Sequence, residues 1–92
     1  MPSNIQITRP HGLGLEQARS RIHAVARRLE RELQVVCRWQ GNRLWFRRPG
    51  ASGIILVAED QVVLEVQLGL WLAPMRQLIA DRIDQKLVTA LR

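Results

Sequence analysis

The chain has 92 residues, 47% of them hydrophobic, and a formal net charge of +6. A core of that size buries about 60% of the unfolded chain's surface, which suits one domain over residues 1–92. No apolar run approaches the roughly 20 residues of a membrane-crossing helix, residues 1–9 lack the apolar centre of a signal peptide, and the single cysteine, Cys37, excludes an intrachain disulfide. The expected location is the cytoplasm, and the expected class is a basic globular module with no transmembrane segment.

The positive charge is unevenly placed. Up to Gly50 ten arginines stand against three glutamates, whereas from Ala51 onward three arginines and one lysine face five acids. A solvated surface accounts for such an excess, and so does attraction to an anionic partner.

In chain order, Asn4-Ile5-Gln6-Ile7-Thr8 alternates polar and β-branched apolar residues, the pattern of a half-buried strand, and Pro10, Gly12 and Gly14 then break it. Leu15, Ala18, Ile22, Val25, Ala26, Leu29 and Leu33 recur at spacings of three and four, which predicts an amphipathic helix of about five turns. Val35 to Gln40 and Arg43 to Arg48 flank Gly41-Asn42 and read as a hairpin with a type II′ turn. A two-residue turn fixes the register: Gln40 faces Arg43, Trp39 faces Leu44, Arg38 faces Trp45, Cys37 faces Phe46 and Val36 faces Arg47. One face then collects Val35, Cys37, Trp39, Leu44 and Phe46, and the other Val36, Arg38, Gln40, Arg43, Trp45 and Arg47.

Pro49 to Gly53 reads as a loop, followed by strands over Ile54–Ala58 and Val62–Leu68 around Glu59-Asp60-Gln61. Ile54-Ile55-Leu56-Val57 is apolar on both faces, so at least one aliphatic side chain points away from the helices. A second helix is predicted from near Ala73, with Pro74 in its first turn and Leu72, Met75, Leu78 with Ile79, Ile83, Leu87 and Leu91 as its apolar stripe. The result is an α+β, two-layer fold in the order β-α-β-β-β-β-α, an antiparallel sheet with two amphipathic helices on one face. The first strand fits either an edge or a central position.

Catalytic signals are sparse. His11 in Arg9-Pro10-His11-Gly12 has no serine or cysteine nucleophile or paired carboxylate near it in sequence, and His23 falls on the first helix without a ligand-spaced partner. Cys37 lies on the predicted core face, where a thiol is inert. Gly12-Leu13-Gly14 before a helix lacks the third glycine and the parallel strand of a dinucleotide site. The sequence points to no catalytic residue, no metal site and no cofactor, and so to a protein that is not an enzyme.

The pattern that stands out is Arg38, Arg43, Trp45 and Arg47 on the sheet face opposite the core. A guanidinium across from an indole favours cation–π contact, and interleaved basic and aromatic groups on an open sheet suit a protein partner, self-association as a homodimer, or single-stranded nucleic acid. Sheet-type RNA-binding signatures are missing. Trp71, between Leu70 and Leu72, reads either as packing beneath the second helix or as an anchor at an apolar interface. A third option is a small apolar ligand held in a cavity between the sheet and the C-terminal helix.

Ile7-x-Arg9-x-His11-x-Leu13-Gly14-Leu15-x-x-Ala18-Arg19, Arg38-Trp39-x-Gly41-x-x-Leu44-x-Phe46, Gly53-x-Ile55 and Leu68-Gly69-x-x-Leu72 before a terminal helix, in this order and spacing, resemble the polyhydroxyalkanoic acid system family of small bacterial proteins. The resemblance spans nearly the whole chain. It implies an association with storage-polyester metabolism and a place at the polyester granule, without carrying over any catalytic residue. A granule surface, apolar with anionic lipid or protein around it, is compatible with the basic first half and with Trp71. The expected fold differs from that of the granule-coating phasins, which are largely helical.

Overall fold

The alternating and the periodic segments become strands and helices in the order their patterns predict. The computed structural model, which describes residues 3–92, contains β1 (Ser3–Pro10), α1 (Leu15–Leu33), β2 (Val36–Gln40), β3 (Arg43–Arg48), β4 (Ala51–Val57), β5 (Gln61–Leu68), a 3-10 turn (Ala73–Met75) and α2 (Arg76–Ala90). The strands form one antiparallel sheet in the order β1-β5-β4-β3-β2, so the first strand takes an edge, beside β5.

Both helices lie on one face. Ala18, Ile22 and Ala26 from α1 and Leu87 from α2 are buried in a single cluster with Ile5, Leu44, Ile55, Val57, Val62, Leu64, Val66 and Leu68 from the strands. Every second residue of β5 is inward, which is why this strand, with a buried aliphatic at Val62, Leu64, Val66 and Leu68, sits between two neighbours. At its centre Ile22, Leu44, Val62 and Leu64 are fully buried. Two shallow hollows open on the surface, one of about 550 Å³ against Leu13, Glu16 and Glu59 and one of about 290 Å³ over Ile7, Arg9 and Asp84.

The β2–β3 hairpin has the register that its two-residue turn demands, with Val36 opposite Arg47 and Arg38 opposite Trp45. Gly41 has φ 61° and Asn42 is not in the positive-φ region, as a type II′ turn requires. The next connection is shorter than the sequence suggests. β4 begins at Ala51, not Ile54, because Pro49-Gly50 alone turns the chain, Gly50 taking φ 86° after the proline, as in a type II turn. Ser52 and Gly53, read as loop from their composition, are mid-sheet residues paired with Arg47 and Phe46.

Side-chain ties help to fix the helices. Arg9 on β1 makes a bidentate pair with Asp84 on α2, with both N–O distances 2.5 Å. Arg21 on α1 donates to the carbonyls of Ala90 and Arg92 at 3.2 and 2.8 Å, satisfying acceptors that the end of α2 leaves free. α2 departs from its predicted stripe at the start. The 3-10 turn changes the rotation per residue, so Leu72 packs on the core while Met75 and Leu78 are exposed. Leu33, the last residue of α1, is exposed as well.

Candidate binding surface

The face of the sheet away from the helices is a grid, and the strand register reads off its rows. In the middle row Gln6, Glu65, Ile54, Trp45 and Arg38 follow one another from β1 to β2; on one side run Thr8, Val63, Leu56, Arg43 and Gln40, and on the other Asn4, Gln67, Ser52, Arg47 and Val36. The grid divides into zones. The β1 column is neutral and polar, the centre holds the half-buried aliphatics Ile54, Leu56 and Val63, and the β3 and β2 columns bring Arg43, Trp45, Arg47 and Arg38 together. All four residues predicted for this surface therefore share one face, and Trp45 is 45% exposed.

Trp45 does not use Arg38 as a stacking partner. Its indole N–H donates to Gln40 Oε1 at 3.2 Å, which holds the ring along the sheet beside Ile54. Among the described residues the guanidinium over an indole is on the other face, where Arg19 of α1 lies 4.8 Å from the Trp39 ring centre. That same indole donates to Nδ1 of His23 at 3.0 Å. Arg38, Arg43 and Arg47 make no ion pair among the described residues, and Glu65 of the middle row is engaged by Gln6 at 3.2 Å. Their charge is left facing solvent.

The other singled-out residues separate from this face. His11 bridges its loop to the β4–β5 turn. The Leu13 N–H donates to Nδ1 at 3.2 Å, which puts the ring proton on Nε2, and Nε2 in turn donates to the Ala58 carbonyl at 3.0 Å. Both ring nitrogens are thereby occupied in holding the turn. Cys37 is half-buried under α1 with Sγ 4.0 Å from the Ala26 carbonyl, and burial, followed by the nearby charge of Glu30, pushes its thiol pKa up. Trp71 is not packed beneath α2. It is 68% exposed, with one edge resting on the backbone of Gly50. Leu70 beside it is exposed too, and Met75 and Leu78, read from the sequence as part of the inward stripe, join them at the surface; the sequence signal for this was Pro74, which forces the helix to start in a phase of its own.

The family model of the polyhydroxyalkanoic acid system protein, PHA_gran_rgn, matches residues 5–91, a span that takes in nearly all of the sheet, both helices and all four of Arg38, Arg43, Trp45 and Arg47. The chain belongs to this family. Membership links the protein to the polyhydroxyalkanoate system, and no helix among the described residues is long and apolar enough to cross a membrane. Neither curated proteins nor solved structures yield a match.

Proposed function

We propose that this member of the polyhydroxyalkanoic acid system family is a non-enzymatic accessory protein that docks on a polyester granule, or on a protein at its surface, through the open face of its sheet. The observation that carries the reading is the register that sets Arg38, Arg43 and Arg47 around Trp45 and beside Ile54 and Leu56, an apolar strip with a cationic border. Such a face matches a surface that is apolar with anionic groups at its boundary: the aliphatics and the indole lose water on contact, while the guanidiniums find counter-charges. The absence of ion pairs on those arginines among the described residues supports it, because they need give up no internal partner on binding. The engagement of both His11 nitrogens and the raised pKa of the Cys37 thiol support a non-catalytic role.

Co-sedimentation with isolated granules tests the proposal. Wild-type protein is expected to pellet with them, Trp45→Ala to pellet weakly, and the triple variant Arg38→Gln, Arg43→Gln, Arg47→Gln to stay in the supernatant. Equal pelleting of all three would reject the face. Single-stranded nucleic acid is the competing occupant of a basic and aromatic sheet; it would announce itself by an affinity for oligonucleotides that falls steeply with salt.

A further inference from the structure

A second surface lies at one end of the molecule and is built differently. Where β5 gives way to α2, the chain turns tightly: the Gly69 N–H donates to the Gly50 carbonyl at 2.8 Å, and the Leu72 and Ala73 N–H groups both return to the Gly69 carbonyl at 3.1 Å. The turn joins the β3–β4 and β5–α2 connections into one tip. It also turns Leu72 inward and leaves Leu70 84%, Trp71 68%, Met75 47% and Leu78 50% exposed within nine consecutive residues. One edge of the Trp71 indole packs on Gly50, where a built Cβ would stand 2.9 Å from the indole and from Leu72, and the rest of the ring is left to solvent.

The charges bordering this tip are positive. Arg47 and Arg48 lead into the Pro49-Gly50 turn on which Trp71 rests, and Arg76 lies inside the exposed segment, its Nε donating to the Asn4 carbonyl at 2.8 Å. None of the three has an acidic partner among the described residues. The nearest acid on α2, Asp81, accepts a hydrogen bond from Gln77, while Glu59 and Asp60 occupy the β4–β5 turn at the opposite end of the sheet. The first turn of α2 adds to the same field, since it has neither a side-chain cap nor an acidic residue to offset the partial positive charge at the start of the helix.

We propose that this tip inserts into an anionic lipid interface, with Leu70 and Trp71 entering the acyl boundary and Arg47, Arg48 and Arg76 meeting the phosphates. The chemistry fits that partner because a large amphipathic ring and adjacent aliphatics prefer the boundary between acyl chains and headgroups, and each arginine near an anionic surface adds to the attraction. A second copy of the chain fits poorly. A two-fold interface would place this patch on itself and bring the same arginines face to face. Arg47 borders both this tip and the sheet face, but the apolar groups of the two surfaces, Leu70 and Trp71 here and Trp45, Ile54 and Leu56 there, are separate.

Flotation with vesicles tests the insertion. Wild-type protein is expected to float with mixed phosphatidylcholine–phosphatidylglycerol vesicles at low salt and not with phosphatidylcholine alone. The variant Leu70→Gln, Trp71→Gln alters only exposed side chains, so it should keep its circular dichroism while losing about tenfold or more in affinity, given the loss of an indole and an aliphatic from the boundary. Val88→Gln, which removes an exposed aliphatic near the far end of α2, should float as the wild type does. The proposal is overturned if the wild type fails to float, if the double variant floats equally well, if Val88→Gln loses as much as the double variant, or if Trp45→Ala does so, which would move lipid contact to the sheet face. Loss of granule binding on Trp45→Ala with vesicle binding intact would support both surfaces as separate.

Discussion

Phe46 covers Gly53: the two are cross-strand partners on the helix-facing side of the sheet, and the ring tip lies 2.5 Å from where a Cβ on Gly53 would stand. The missing side chain is thus replaced by an aromatic one from the neighbouring strand, the arrangement that compensates a glycine inside a sheet. Gly53→Ala would drive a methyl group into the ring and into the carbonyl oxygen of Glu65, and the backbone collision cannot be relieved by a rotamer change. The expected loss is about 1–3 kcal/mol, as for overpacked cores. An unchanged urea midpoint for Gly53→Ala would show that the sheet opens there without strain.

Leu44 and Leu56 lie on adjacent strands and point to opposite faces, so they separate burial from composition. Leu44 is 2% exposed at the centre of the core, whereas Leu56 is half-buried on the open face. Leu44→Ala should cost about 2–5 kcal/mol through lost burial and the cavity left behind, and Leu56→Ala about 1 kcal/mol or less. For a domain of modest total stability, the first should leave a substantial unfolded population under mild denaturant and the second should not. Comparable urea midpoints for the two variants would mean that the open face is covered in solution.

Cys37 should react slowly with alkylating reagents. Its thiol is half-buried beneath α1, and burial and the charge of Glu30 hold its pKa above the ordinary thiol value, so the thiolate fraction at mildly alkaline pH is low and access is restricted. Iodoacetamide labelling is expected to be far slower in native protein than in urea. Native labelling as fast as that of a free thiol would place Cys37 among reactive cysteines.

What could be read in the sequence follows from how strongly a pattern constrains geometry. The β2–β3 hairpin was legible residue by residue because Gly41-Asn42 fixes the turn and the alternation fixes the face, so Arg38, Arg43, Trp45 and Arg47 came together as expected. Ala51 to Gly53 was not legible: small residues resemble a loop, and only the neighbouring strand shows that Phe46 requires a glycine there. Met75 and Leu78 were misplaced because a helical period was extended back through Pro74, whereas the 3-10 turn resets the phase. The edge position of β1 depends on which strand β5 accepts as its second neighbour, a tertiary choice that no local pattern states.

The pair formed by Arg9 and Asp84 should give the protein an acid-sensitive joint between β1 and α2. Hydrogen bonding from Arg9 holds the Asp84 carboxyl below its ordinary pKa, against the opposing effect of desolvation and with further help from the arginine's charge. Because the folded-state value lies below the unfolded one, the contribution to stability is present at neutral pH, down to the ordinary carboxylate range. It is lost as pH falls through the depressed folded value. Asp84→Asn removes this dependence. The variant should be less stable than the wild type at pH 7, and the two stability curves should converge on acidification, starting in the ordinary carboxylate range and continuing below it as Asp84 takes up its proton. Arg9→Gln should behave alike, and the double variant should be no worse than either single one if the two side chains act only on each other. Urea titrations at a series of pH values supply the measurement; parallel curves for wild type and Asp84→Asn would show that the pair does not couple helix to sheet in solution.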